Sequence, residues 1–195
     1  MTKPAERVPY DAVVIGVSAG GLHALRAILP RLPEKFPVPV VVVQHRGPES
    51  DGFFTEYLGQ RCAVQIKEAE EKEMAAAGTV YLAPANYHLL LEDDRTFSLT
   101  LESRVRFARP SIDVLFESAA DVYGSRLIGI VLTGANDDGS RGLAAIKKRG
   151  GLAVVQDPAG AEVDTMPRAA LRAAEVDFVL PLAAIGPFLA NLYKE

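Results

Sequence analysis

A hydroxyl, an imidazole and two carboxylates stand just beyond three apolar runs of this 195-residue chain. Ser18 follows Ala12-Val13-Val14-Ile15-Gly16-Val17, His45 follows the run from Val38 to Val43, and Asp137 and Asp138 lie in the loop after Leu127 to Leu132. Together these groups suit acyl transfer. A serine hydroxyl is a weak nucleophile until a neighbouring base takes its proton; a neutral imidazole is such a base, and a carboxylate can orient it. The order Ser, His, Asp is not one of the three common chain orders of serine hydrolases, but a triad is defined by geometry and not by order. Activity resting on a neutral His45 should fall on acidification.

Ser18 precedes Ala19-Gly20-Gly21 and a helical pattern, so free backbone N–H groups of a first helical turn can point at a developing oxyanion. Ala19 and Gly20, with Ala135 from the third loop, are the candidate donors. One such donor is typically worth about 2.7 to 4 kcal/mol in the transition state. The same glycine-rich turn could hold a phosphate, which keeps a nucleotide-binding module open. Against a dinucleotide site, Ser18 stands where the second glycine of the fingerprint belongs, and His45 ends the second strand in place of an acid.

These residues need a scaffold that gathers three loops at one edge. A β-branched run, a glycine turn and then Leu22, Leu25 and Ile28 at helical spacing read as strand, turn, helix. The Val38–Val43 run repeats the pattern, with Ser50 or Asp51 as a cap for a helix carrying Phe53, Phe54, Tyr57 and Leu58. The middle of the chain, from Ala63 to Leu101, holds short extended segments without good helices and is expected to form an antiparallel edge segment. From Ser111, a plausible N-cap, strands and helices alternate again to Tyr193. The expected fold is therefore α/β, a doubly wound, mostly parallel sheet flanked by helices. In such sheets ligands bind beyond the carboxyl ends of the strands, where Ser18, His45 and Asp137/Asp138 would lie.

Composition narrows the function further. With 49% hydrophobic residues the chain can fill one core, and its net charge of −4 offers no basic stripe for a nucleic acid. The single cysteine, Cys62, excludes an intramolecular disulfide and a paired-thiolate zinc site; it reads as a small buried hydrophobe. No apolar run approaches the ~20 residues of a membrane span, and the polar N-terminus lacks a signal-type stretch, so a cytoplasmic location is expected.

Six separated segments, taken together, resemble the catalytic domain of the chemotaxis response-regulator methylesterases, the CheB family. They are Ile15-Gly16-Val17-Ser18-Ala19-Gly20-Gly21, Gln44-His45, Ala83-Pro84 with His88, Arg109-Pro110-Ser111-Ile112-Asp113-Val114-Leu115-Phe116, Leu132-Thr133-Gly134 with Asp138-Gly139, and Met166-Pro167-Arg168. The resemblance covers about residues 11 to 190. It implies hydrolysis of glutamyl methyl esters on methyl-accepting chemotaxis receptors, with deamidation of receptor glutamines beside it, and it implies no cofactor and no metal. By the same resemblance Ser18 is the nucleophile, His45 the general base and Asp138, which directly precedes Gly139, the orienting acid.

Arg109, His88 and Met166 are then candidates for lining the substrate cleft, each with an ordinary alternative: a paired arginine, a rim histidine, a core methionine. His23, on the first helix, is read as a surface or packing residue. Two departures stand out. Ala19 replaces the family's usual threonine, and Asn136 replaces a glycine, which a left-handed backbone there would accommodate. Both leave open a non-catalytic receptor-docking or scaffold domain. The chain is expected to be one domain over 1–195 without the receiver domain that family members usually carry, so a separate receiver is a candidate partner alongside the receptors.

Overall fold

An uninterrupted β-branched strand needs cover on both faces, and the order of elements supplies it. The computed structural model, which describes residues 10–47 and 52–193, runs β1 (Ala12–Val17), α1 (Gly21–Ile28), β2 (Val40–Gln44), α2 (Phe53–Gly59), β3 (Gln65–Glu68), β4 (Thr79–Leu82), β5 (His88–Leu91), β6 (Phe97–Thr100), α3 (Ile112–Tyr123), β7 (Leu127–Val131), α4 (Ser140–Lys148), β8 (Leu152–Gln156), α5 (Thr165–Ala173), β9 (Phe178–Leu180) and α6 (Leu182–Leu192). Seven strands form one parallel sheet in the order β3-β4-β2-β1-β7-β8-β9, while β5 and β6 pair antiparallel as a separate hairpin. The middle of the chain thus contains the antiparallel element expected of it, whereas β3 and β4 join the main sheet parallel. Ser50 and Asp51, the expected caps of α2, lie outside the described residues; Gly52 occupies the N-cap.

The two faces of β1 feed two cores. Ala12 and Val14 pack with Leu115, Phe116, Leu143 and Ile146 under α3 and α4, and Val13, Ile15 and Val17 pack with Leu25, Ile28, Ile185 and Leu189 under α1 and α6. Outward from β1 lie β2, β4 and β3 on one side, and outward from β7 lie β8 and β9 on the other. The crevice between β1 and β7, where strand order reverses, is the switch point at which a doubly wound sheet binds ligands.

One close approach brings α3 to that crevice. A Cβ at Gly16 would overlap Ile112 Cγ2, and one built at Gly139 would stand 2.7 Å from the same atom. Two glycines therefore seat Ile112, the first residue of α3, between β1 and the loop after β7. Ser111 caps this helix, its hydroxyl accepting the Val114 N–H at 3.5 Å.

Candidate active site

The turns after β1 and β2 are tied together before any side chain of the site is placed. The His45 amide donates to Val17 O at 3.1 Å and the Ser18 amide to Thr133 O at 3.0 Å, continuing the parallel pairing past the strand ends. Gln44 then adds a clamp, its Nε2 donating at 2.9 Å to both the Ser18 and the His45 carbonyl. Gly21 faces this amide so closely that a Cβ there would overlap it. On the other side Thr133 Oγ1 donates to Ala19 O at 2.9 Å and accepts the Val163 N–H at 2.9 Å. Gly20, the N-cap of α1, adopts φ 77°, a left-handed turn that glycine tolerates without a Cβ penalty.

On this frame Ser18 Oγ lies 3.2 Å from His45 Nδ1, and His45 Nε2 lies 2.8 Å from Asp138 Oδ2. Because the carboxylate only accepts, the compatible neutral tautomer carries its proton on Nε2 and presents the Nδ1 lone pair to the serine. Asp138 is fully buried, at 0% exposure, and saturated with donors. Besides His45 it accepts the Ile112 N–H at 2.7 Å, the Asp113 N–H at 3.0 Å and the Ser111 hydroxyl at 2.9 Å. Burial alone would raise its pKa, but the hydrogen bonds from His45 and from the Asp113 and Ile112 amides outweigh it and hold the carboxyl below the ordinary value. The N-terminus of α3 favours negative charge at the same place.

Asp137 does not meet His45. Its side chain is half exposed and pairs with Arg106. Asn136 does not adopt the left-handed backbone that would accommodate it in place of a glycine; its Oδ1 instead accepts the Asp138 N–H at 3.1 Å, closing a local turn that fixes the acid. Asp113, a buried residue that sequence reasoning did not single out, accepts the Gly139 and Gly142 amides at 2.9 and 2.7 Å and so joins α3 to the loop carrying Asp138. The clamp by Gln44 has no local pattern in the sequence, since the carbonyls it joins are 27 residues apart.

The cleft candidates divide. Arg109 lines the cleft beside His45, but its donors are committed to Asn86 Oδ1 at 2.9 Å, Leu101 O at 2.7 Å and Glu102 O at 3.0 Å, so it braces the wall. His88 is not at the rim: at 1% exposure it bridges Ser103 O at 3.1 Å and the Ser111 N–H at 3.2 Å, a structural link ahead of α3. Met166 is core, wedged beneath Gly134, where a Cβ would overlap its sulfur. His23 is exposed, as read. Cys62 is only half-buried, in the loop before β3, and burial pushes its thiol up to about 11. Among the described residues no cluster of three or more His, Cys, Asp and Glu side chains is placed to hold a metal ion.

The amides of Ala19, Gly20 and Ala135 donate to no other group among the described residues. Nucleophile, base, buried acid and free amides at a sheet's switch point form an arrangement that can carry out acyl transfer.

Comparison with known proteins gives one consistent result. The model of a family described as CheB methylesterase matches residues 13–189. Protein-glutamate methylesterase FrzG of Myxococcus xanthus is 40% identical over 184 residues, covering 93% of this chain and 54% of its own length. A Leptospira interrogans protein named for protein-glutamate methylesterase and protein-glutamine glutaminase activity is 56% identical over 183 residues, covering 94% of this chain and 95% of its own length. The chain thus matches nearly all of one relative and about half of the other. The crystal structure of the Thermotoga maritima CheB methylesterase catalytic domain superposes with a TM-score of 0.90 at 35% identity, covering 94% of this chain and 98% of that one.

Proposed function

The chain belongs to the CheB methylesterase family, and on that premise we propose that Ser18, His45 and Asp138 are the catalytic triad of a protein-glutamate methylesterase acting on chemotaxis receptors. The observation that carries this reading is the continuous relay from Ser18 Oγ through His45 to a carboxylate held by two helix-terminal amides.

His45 Nδ1 takes the Ser18 proton as Ser18 Oγ attacks the ester carbonyl. The Ala19 and Gly20 amides, with that of Ala135, stabilise the oxyanion. His45 returns the proton to the departing methoxide, methanol leaves, and water activated by the same imidazole hydrolyses the acyl-serine to free glutamate. Attack on a glutamine side chain follows the same course with ammonia as leaving group, so receptor glutamine deamidation is the second activity. No described helix is long and apolar enough to cross a membrane.

The test is methanol release from a methylated receptor fragment by the native chain and by Ser18→Ala. Release by the native chain alone supports the assignment. No release under conditions where a known methylesterase is active would put a docking or scaffold domain in its place.

A further inference from the structure

Between β6 and α3 the chain makes a tight two-residue hairpin on the rim of the cleft. Val105 and Ala108 exchange both backbone hydrogen bonds, at 3.0 and 2.8 Å, and the residues between them, Arg106 and Phe107, have φ of 48° and 65°. Positive φ at both centre positions is a primed turn, normally given to Asn-Gly or Asp-Gly because side chains with a full Cβ disfavour it. Here it carries an arginine and a phenylalanine, and the phenylalanine is 94% exposed. Nothing in the core gains from that ring, while Phe107 and His45 line the same cleft of about 290 Å³. Backbone strain beside an exposed aromatic at a site mouth is the pattern expected where the ring meets something outside the chain.

The turn is braced. Arg106 pairs with Asp137, and its Nε lies 3.4 Å from Asp113 Oδ2, rooting the hairpin in the loop that carries Asp138. A ring presented this way loses little freedom on binding, which favours it as an anchor. Charge supplies a second indication. The protein is net negative, yet four arginines line this cleft. Arg46 and Arg109 are spent on protein acceptors, whereas the exposed Arg104 makes only a 3.4 Å contact with Phe107 O and pairs with no carboxylate among the described residues.

We infer that Phe107, with Arg104 beside it and Arg106 bracing the turn, is the element that docks the protein substrate: the ring seats against an apolar side chain near the glutamyl ester, and Arg104 faces a carboxylate beside it. This rests on the reading of the site as a hydrolase of glutamyl esters in a protein. A glutamyl side chain whose ester has been removed is a carboxylate, so a partner carrying several such side chains presents negative charge around the remaining ester, and an aromatic beside Arg104 matches it in both charge and apolarity.

Binding separates docking from turnover. A purified methylated receptor cytoplasmic fragment is titrated against Ser18→Ala, Ser18→Ala/Phe107→Ala and Ser18→Ala/Phe107→Leu, with thermal unfolding confirming that each is folded. Loss of the aromatic should weaken binding about tenfold or more, with leucine intermediate, and added salt should weaken all three through Arg104. Equal affinity of Ser18→Ala and its Phe107→Ala derivative overturns the proposal, as does the absence of fragment binding by Ser18→Ala. Hydrolysis of a small carboxylic ester by the native chain reports the triad separately, so failure of docking is distinguishable from failure of the esterase reading.

Discussion

The Ile112 amide donates to Asp138 Oδ2 at 2.7 Å, onto the same oxygen that receives His45 Nε2 at 2.8 Å. The acid of the proposed triad therefore sits on the N-terminus of α3, and the position of that helix against β1 sets the position of the imidazole. Gly16 and Gly139 permit the approach by leaving room for the Ile112 side chain. Catalytic geometry and core packing meet in one residue pair.

Asp138→Asn tests this seat. An amide presents N–H where the native oxygens accept from His45, Ser111, Ile112 and Asp113. It therefore opposes donors with a donor and removes the charge that fixes the tautomer. Turnover should fall by about 10³ to 10⁴, the scale of the equivalent change in a well-studied serine protease. Stability should fall by about 1 to 3 kcal/mol. Single-turnover kinetics and denaturant unfolding measure the two effects, and a variant retaining near-native rate would remove Asp138 from the triad.

Gln44→Leu probes the clamp between the two turns. Leucine keeps the volume but gives the Ser18 and His45 carbonyls no donor. Ser18 and His45 then lose their shared tether while keeping their strand-end hydrogen bonds. We expect kcat to drop about 10- to 100-fold with KM little changed, because a small misplacement of reacting groups costs rate more than binding. Steady-state kinetics on a methyl ester substrate decides it; a pure KM effect would show that the clamp serves substrate binding instead.

Much of this site was legible because chemistry and position coincide in the sequence. Ser18 and His45 stand at the ends of buried runs and Asp138 in the loop beyond a third, and in a parallel sheet all such strand ends fall on one edge. The choice between Asp137 and Asp138 was not legible from spacing, since it depends on which carboxylate meets the helix terminus. His88 misled because a histidine after a turn looks solvent-facing; its burial arises from two backbone partners, Ser103 and Ser111, that are remote in sequence. The parallel pairing of β3 and β4 was hidden for a similar reason, as the connection between them contains no helix to announce a crossover.

Stability should respond to pH through two buried carboxyls of opposite sign. Asp138 has a lowered folded pKa, so its contribution is complete above the unfolded aspartate value of about 3.9 and is lost as pH falls below it. Asp113 is raised, first by burial and then by the neighbouring Asp138 charge, against hydrogen bonding from Gly142 and the field of Arg141. Its contribution is complete below about 3.9 and is lost as pH rises through its higher folded value. Unfolding free energies measured across the acid range should therefore flatten above about 3.9 in Asp113→Asn and below it in Asp138→Asn. Both variants flattening the same window would show that the two groups titrate as one.

Gly139→Ala joins the backbone argument to the packing argument. The residue has φ 90°, where an L side chain is strained, and its new Cβ would stand 2.7 Å from Ile112 Cγ2. Left-handed strain of about 1 to 2 kcal/mol and overpacking of about 1 to 3 kcal/mol should together destabilise the protein by about 2 to 5 kcal/mol. Turnover should fall as well, because relief of the clash moves either α3 or the loop that carries Asp138. The Ile112→Ala/Gly139→Ala double variant distinguishes the two causes. If the methyl contact dominates, the combined loss in denaturant unfolding is smaller than the sum of the single losses by about 0.5 to 3 kcal/mol, the range seen for residues in contact. Additive losses would assign the cost to the backbone alone, and Ile112 would then be core filling that does not govern the geometry of the acid.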